Sequence, residues 1–369
     1  MISFSVIFFQ SKSFAQVIGI TVKDSIVTVV PAFKISGYVD AYYAYYTDSV
    51  GTGNYQRFPS VSPRSNTFGL NTALLTAQYD GEKVRGVVTL HYGDIPRSAW
   101  SPLFNPIMEA HVGFRLCKNN KLWMDAGLFR THFGTEGLLP KENICSSIAV
   151  NTFYEPYFEG GIRLNYNPCD KLSIYVYALN GYNMFDDNNK KKSFGMLATY
   201  TMGDNRNIGY SNYIGDDTPS PADTISHLRI HNNLFFNYQV KKLKIQIGGD
   251  YCMQKNSDIA TGTKTASMYS GVAGLKYNCC KLFSVYGRGE IFNDPEGMMS
   301  GIILDKTNKF TGYKLWGATL GVEYKPTENS YLRLEARQLE MDKNQEIFHW
   351  KNDPEDSRLE ILFNMGISF

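Results

Sequence analysis

The sequence predicts an all-β protein: a transmembrane, antiparallel, up-and-down β-barrel of about sixteen strands, with short periplasmic turns and long extracellular loops. Three observations predict it. From residue 33 onward, segments alternate apolar with polar or small side chains, the period of two that marks strands. The connections between segments alternate strictly between short and long. The chain is rich in Tyr (25), Phe (23) and Gly (32), a composition suited to strands, tight turns and rings placed at an interface.

Composition excludes several classes. In 369 residues with 43% hydrophobic content, no run approaches the ~18–20 apolar residues of a spanning helix. The net charge of +2 leaves no basic footprint for nucleic acid. Residues 4–9, Phe-Ser-Val-Ile-Phe-Phe, followed by Ser13-Phe14-Ala15, read as an export signal over 1–15. Its basic n-region is missing, which points to a truncated start. Residues 16–32 then form a periplasmic lead-in, and 33–369 the barrel. Export makes disulfides possible for the six cysteines; at least four are expected to stay free.

Taken in order, the strand candidates fall near 33–46, 66–79, 83–93, 107–117, 121–133, 159–167, 171–181 and 193–203. They continue near 206–214, 227–240, 242–254, 267–278, 281–292, 312–324, 330–340 and 359–369. In the second, Phe68, Leu70 and Leu74 conflict in face with Leu75, Ala77 and Tyr79, and a bulge would reconcile them. In the fourth, Met108, Ala110, Val112, Phe114 and Leu116 share the apolar face. Tyr79, Tyr166, Tyr238, Tyr277 and Tyr324 each close a strand before a short turn, so they form one periplasmic aromatic girdle.

A barrel in lipid must be apolar outside and can be wet inside. The polar faces carry Glu109, His111, Arg115, Arg163, Arg229, Arg288, Glu290, Arg333, Glu335 and Arg337 as predicted pore-lining residues. Arg85, Asp40, Asp125, Asp250 and Glu360 join them. So many charges on one face call for a water-filled interior, which sixteen strands are wide enough to enclose.

The third long loop, Gly134 to Phe158, is the longest connection. Gly134 and Gly137 allow bends, and Leu138, Leu139 and Ile144 can pack. It is expected to fold inward, setting Glu136, Glu142 and Glu155 across a narrow section from Arg85, Arg115, Arg130 and Arg163.

No Gly-x-Ser-x-Gly, Walker A or His-Glu-x-x-His motif occurs, and the chain reads as no enzyme. His227 and His231 lie four residues apart on a strand, ~13 Å, too far to share one metal ion. No cofactor is expected; acidic stretches at Asp186-Asp187, Asn293-Asp294 and Asn352-Asp353 leave loop-bound calcium as a weaker reading.

Several motifs carry a family resemblance: Ser36-Gly37-Tyr38-Val39-Asp40-Ala41-Tyr42-Tyr43, Ala126-Gly127-Leu128-Phe129 and Phe133-Gly134-Thr135-Glu136. Arg288-Gly289-Glu290 with Asp294, and Leu332-Arg333-Leu334-Glu335-Ala336-Arg337, extend it. From about residue 33 to its end the chain resembles the OmpL-like putative beta-barrel porins of Gram-negative outer membranes. The resemblance implies an integral outer-membrane protein passing small hydrophilic solutes passively, with no catalytic residue. The expected partners are outer-membrane lipid, small hydrophilic solutes and a homo-oligomeric copy. The strand ending in Phe369 resembles the signal read by the barrel insertion machinery. Two alternatives stand beside the porin reading: an accessory barrel whose lumen is closed by loops, and a surface lipid-modifying enzyme.

Overall fold

The computed structural model describes residues 32–48, 50–51, 54–219, 225–351 and 353–369. The predicted signal peptide (1–15) and, apart from Ala32, the lead-in (16–32) lie outside the described residues.

Alternating side chains leave a strand on opposite faces, so each segment builds one lipid face and one interior face. Strands β1 (Ala32–Tyr46), β2 (Thr67–Asp80), β3 (Val84–Tyr92), β4 (Ile107–Arg115), β5 (Leu122–Arg130), β6 (Phe158–Cys169) and β7 (Leu172–Leu179) pair in sequence order. So do β8 (Ser193–Thr201), β9 (Arg206–Gly215), β10 (Arg229–Val240), β11 (Leu243–Gln254), β12 (Ala266–Asn278) and β13 (Phe283–Asn293). Beyond two short loop strands, β14 (Ile303–Leu304) and β15 (Phe310–Thr311), come β16 (Lys314–Tyr324) and β17 (Ser330–Met341). A second loop hairpin, β18 (Phe348–Trp350) and β19 (Asp353–Glu355), precedes the last strand, β20 (Ser357–Ser368). The sixteen long strands form one closed antiparallel barrel; the two hairpins sit apart in long loops. Two helices, α1 (Asp94–Ala99) and α2 (Val150–Tyr154), also lie in long loops.

Closure removes every sheet edge, which a bilayer demands. β1 and β20 pair from Tyr38 with Ser368 to Tyr46 with Glu360. Gly37 N–H donates to Phe369 O at 2.8 Å, and Phe369 N–H donates back to Gly37 O at 3.1 Å. The Phe369 ring lies over Gly37 so closely that a Cβ there would come within 2.4 Å of it. A side chain at residue 37 would push the terminal ring out of the seam.

The outer face is a belt of exposed apolar groups, among them Val112, Val176, Ile247, Val285, Leu320, Leu334 and Ile367. Four girdle tyrosines, Tyr79, Tyr166, Tyr277 and Tyr324, are exposed, and Tyr238 is half-buried. The register of β1 against β2 shifts between Asp40 and Ala41, leaving Asn71 as the extra residue. That bulge puts Phe68 and Leu75 on the outer surface, while Leu74 packs inside with Tyr38.

A second bulge corrects an expectation. β3 and β4 shift register between Thr89 and Leu90, skipping Met108. Met108 therefore leaves the apolar face of Ala110 and Val112 and is buried in an interior cluster with Trp100 and Ile95. A bulge inverts the alternation locally, and periodicity alone carries no mark of it.

All six cysteines are free; Cys145 and Cys252 are buried, and Cys169, Cys279 and Cys280 are exposed. In a cysteine-free background, a cysteine at Asn188, between β7 and β8, is expected to react with an impermeant maleimide on intact cells. One at Asn119, between β4 and β5, is expected to react only after lysis. The reverse pattern would invert the orientation.

Candidate functional site

The interior wall of β13, β16, β17 and β20 carries most of the charge, and its side chains are paired rather than wet. An alternating chain of acids and bases runs along it. Glu136 meets Arg288 at 3.1 Å, Arg288 meets Glu290 at 3.4 Å, and Arg337 joins Glu290 at 2.8 Å. Arg337 reaches on to Glu360 at 3.3 Å, and Glu360 binds Arg358. Arg333 pairs with Glu323 at 2.7 Å, and Glu323 also holds Lys276 at 2.5 Å. Arg288, Glu290, Arg333, Glu335, Arg337, Arg358 and Glu360 are all buried. An isolated charge there would be costly; alternating signs with short hydrogen bonds offset the loss of water.

The third long loop, residues 131–157 or L3, supplies the other half of this network. It folds inward and docks on the far wall. Glu335 accepts the Ser146 N–H at 2.7 Å and the Ser147 N–H at 3.0 Å. Glu290 accepts the Val150 N–H at 2.7 Å, at the start of α2. Arg333 donates to Pro140 O at 2.8 Å and Cys145 O at 3.1 Å, and Arg288 donates to Ser147 O at 2.7 Å. Asn151 donates to Asp250 at 2.8 Å, and Asn233 donates to Thr135 Oγ1 at 2.9 Å. Thr135 lies against Gly248, where a Cβ would come within 2.2 Å of its hydroxyl. Only glycine lets the loop seat this closely on β11. Leu138 and Leu139 join Tyr38 and Tyr331 in a buried apolar cluster, which fixes the loop's middle.

This geometry corrects the expected constriction. Glu136 and Glu142 do not face arginines across a gap. Glu136 is in contact with Arg288, and Glu142 forms a two-pronged pair with Arg130 at 2.8 and 2.6 Å. Paired at contact distance, they leave little transverse field. Nor do Arg288, Arg333 and Arg337 require a water-filled interior; L3 carboxylates and carbonyls take the place of water at Arg288 and Arg333, and the wall glutamates Glu290 and Glu360 do so at Arg337. Glu155 is buried near Asp250 and receives only long hydrogen bonds, 3.4 Å from Asn151 and 3.3 Å from Asn233. Burial, reinforced by the Asp250 carboxylate, pushes the Glu155 carboxyl well above the usual range.

The wall of β3 to β6 keeps some access to solvent. Arg85 and Arg163 both hold the buried Asp125, at 2.7 and 2.9 Å. His111 lies 3.4 Å from Arg163 and 3.9 Å from Glu109, and Arg115 reaches Glu82 at 3.1 Å. Arg229 faces inward on β10, bonded to Gln254 at 2.8 Å and 3.6 Å from Asp217. The ten residues predicted as pore-lining thus all project inward, nine of them on two unlike walls, one dry and one partly wet, and Arg229 between these walls on β10. Arg358, Glu323 and Lys276 escaped sequence reading because each lies near a strand end, where alternation is hard to phase. Asp294, one calcium candidate, is turned into its own loop: its carboxylate accepts the N–H groups of Met298, Met299 and Ser300.

The family model described as "Putative beta-barrel porin-2, OmpL-like" matches residues 32–369. Among solved structures, the chain is similar to the outer membrane channel DcaP of Acinetobacter baumannii, with TM-score 0.61, 13% identity, and coverage of 93% of this chain and 98% of that one. It is also similar to a loop-deletion form of OmpT of Vibrio cholerae, with TM-score 0.59, 10% identity, and coverage of 92% and 99%. OprB of Pseudomonas putida matches with TM-score 0.57, 10% identity, and coverage of 92% and 94%. At these identities the likeness is one of fold. No curated protein matches the chain.

Two outcomes test the docking of L3. Arg288→Ala strands Glu136 and weakens the neutralisation of Glu290; breaking a buried pair this way costs about 3–5 kcal/mol. The temperature at which the folded barrel loses its gel mobility shift should fall accordingly. The second outcome concerns pH. A carboxyl whose native pKa lies above its unfolded value adds stability below the unfolded value and loses it as pH rises through the native one. Raising the pH should therefore speed amide exchange at Ser146, Ser147 and Val150 beyond the intrinsic base-catalysed rise, and Glu155→Gln should remove that excess.

Proposed function

The chain belongs to the putative beta-barrel porin-2, OmpL-like family of integral Gram-negative outer-membrane proteins, and from that premise we propose that it lets small hydrophilic solutes diffuse across the outer membrane. The supporting observation is the polar interior wall that runs the height of a sixteen-stranded barrel, still accessible to solvent at Arg85, Arg115 and Arg163. In the resting state L3 and its partners narrow the loop-side half. Tyr42, Tyr46, Leu179, Tyr213, Phe292 and Leu339 are buried there as well. Conduction then depends on displacement of L3.

The same packing favours a second reading, an accessory barrel whose lumen stays closed by its loops. The lipid-modifying alternative fits poorly: His91, His132 and His231 are buried in the interior, away from lipid.

Planar-bilayer recording separates the first two readings. The full chain is expected to conduct in small or infrequent steps. Deleting residues 138–152 is expected to enlarge conductance several-fold, since that segment carries the contacts to Glu335, Arg333 and Glu290. Glu136→Lys places a cation against Arg288, and should raise the open fraction of the intact loop. A folded deletion variant that passes no current would overturn the diffusion reading and leave the accessory barrel.

A further inference from the structure

Beneath L3 two groups of cations are more exposed than the acids that pair with them, although Glu109 on the same wall is also accessible. On one side, the Arg85 and Arg163 side chains are 19% and 18% exposed, while Asp125 between them is 0% exposed. On the other side, Lys276 is 15% exposed and its partner Glu323 only 3%. In both groups the carboxylate lies behind and the cation lies in front.

The two groups sit on opposite walls. β3 to β6 carry Arg85, Arg115 and Arg163; β11 and β12 carry Lys244 and Lys276, which are register partners across the ladder. In a ring of sixteen strands, β4 and β12 are half a turn apart. The lysine group lies just on the turn side of L3: Gln246, two residues from Lys244, donates to Thr135 O, and Glu323 joins Lys276 to the L3-binding Arg333.

The arginines are also held for use. Arg85 gives Nε and Nη2 to Asp125, and Arg163 gives Nε to the same carboxylate. The Trp123 ring lies 4.6 Å from the Arg85 guanidinium, and the Phe129 ring 4.4 Å from that of Arg163. These rings fix the planar groups at little cost in charge. The acids that face this space are Glu109, 22% exposed and bonded to Thr89, and Glu82 and Asp80 at the rim, the former tied to Arg115.

We propose that this vestibule is an anion-binding site: Arg85 and Arg163 on one wall, with Lys244 and Lys276 on the other, take small solutes bearing carboxylate, phosphate or sulfonate groups. The proposal deepens the diffusion reading and rests on it for transport, though not for binding. A cationic cleft with low-dielectric walls concentrates anions, and Arg forks suit flat oxyanions.

Two measurements test it. The first is the reversal potential across a KCl gradient, recorded on the full chain and on the 138–152 deletion. The expected sign is chloride over potassium, moving toward unity in Arg85→Gln combined with Lys276→Gln. Each buried acid keeps an arginine in that variant, Asp125 with Arg163 and Glu323 with Arg333, so neither is left unpaired, and the gel mobility shift of the folded barrel checks folding. Current with potassium preferred would overturn the proposal while leaving diffusion standing. The second needs no current. The polysulfonated dye pyranine, added to the detergent-solubilised barrel at low ionic strength, should gain fluorescence anisotropy. The gain should fall with salt and should drop at least about tenfold in affinity in the same variant, as expected for screened charge contacts. No gain, or a gain that the variant retains, would overturn the proposal whether or not the barrel conducts.

Discussion

The structure depends on one constraint: charge inside a barrel must be answered by charge or by water. The bilayer fixes the outside, where an apolar belt and a closed hydrogen-bonded sheet are the available solution. Inside, β13, β17 and β20 bring arginines and glutamates onto one wall in alternation. Glu136, Arg288, Glu290, Arg337, Glu360 and Arg358 form an unbroken series of opposite signs. Its first member belongs to L3, so the loop and the wall neutralise each other. Neither is a stable arrangement alone. A bare wall would need water, and a bare loop would expose Leu138, Leu139 and Ile144.

That dependence explains why L3 docks by its backbone as much as by its side chains. The amides of Ser146, Ser147 and Val150 have no ladder partner in a loop, and Glu335 and Glu290 accept them. The carbonyls of Pro140 and Cys145 meet Arg333. Unpaired backbone groups and unpaired wall charges are solved by one set of contacts. Gly248 adds a steric condition, because any side chain there would lift Thr135 off β11.

The barrel itself was legible in the sequence because the signal repeats sixteen times and depends only on the medium on each side. Alternation at β12, β13 and β16, the tyrosines before short turns, and Phe369 at the seam all state the same fold. The inward turn of L3 was legible from its length and its glycines. What the loop does inside was not. Alternation shows that Arg288 and Glu290 face inward, but not whether water or Glu136 meets them; that depends on contacts 152 residues apart. Met108 fails for a local reason, since one skipped residue in β4 reverses its face without changing the apolar pattern. Asp294 looked like a cation ligand, and three backbone N–H groups of its own loop use its carboxylate instead.

The two walls then divide the work of the interior. On β13 to β20 the guanidinium groups are buried against acids and loop carbonyls, so they hold structure and are not exposed to a solute. On β3 to β6 the loop makes fewer contacts, and the two arginines that share Asp125 stay partly exposed. One carboxylate between two guanidinium groups leaves a surplus of positive charge, and the aromatic faces of Trp123 and Phe129 support that surplus without cancelling it. The same residue types thus serve opposite ends. Where L3 covers the ion pairs the wall is sealed, and where it does not the wall stays open to what dissolves in water.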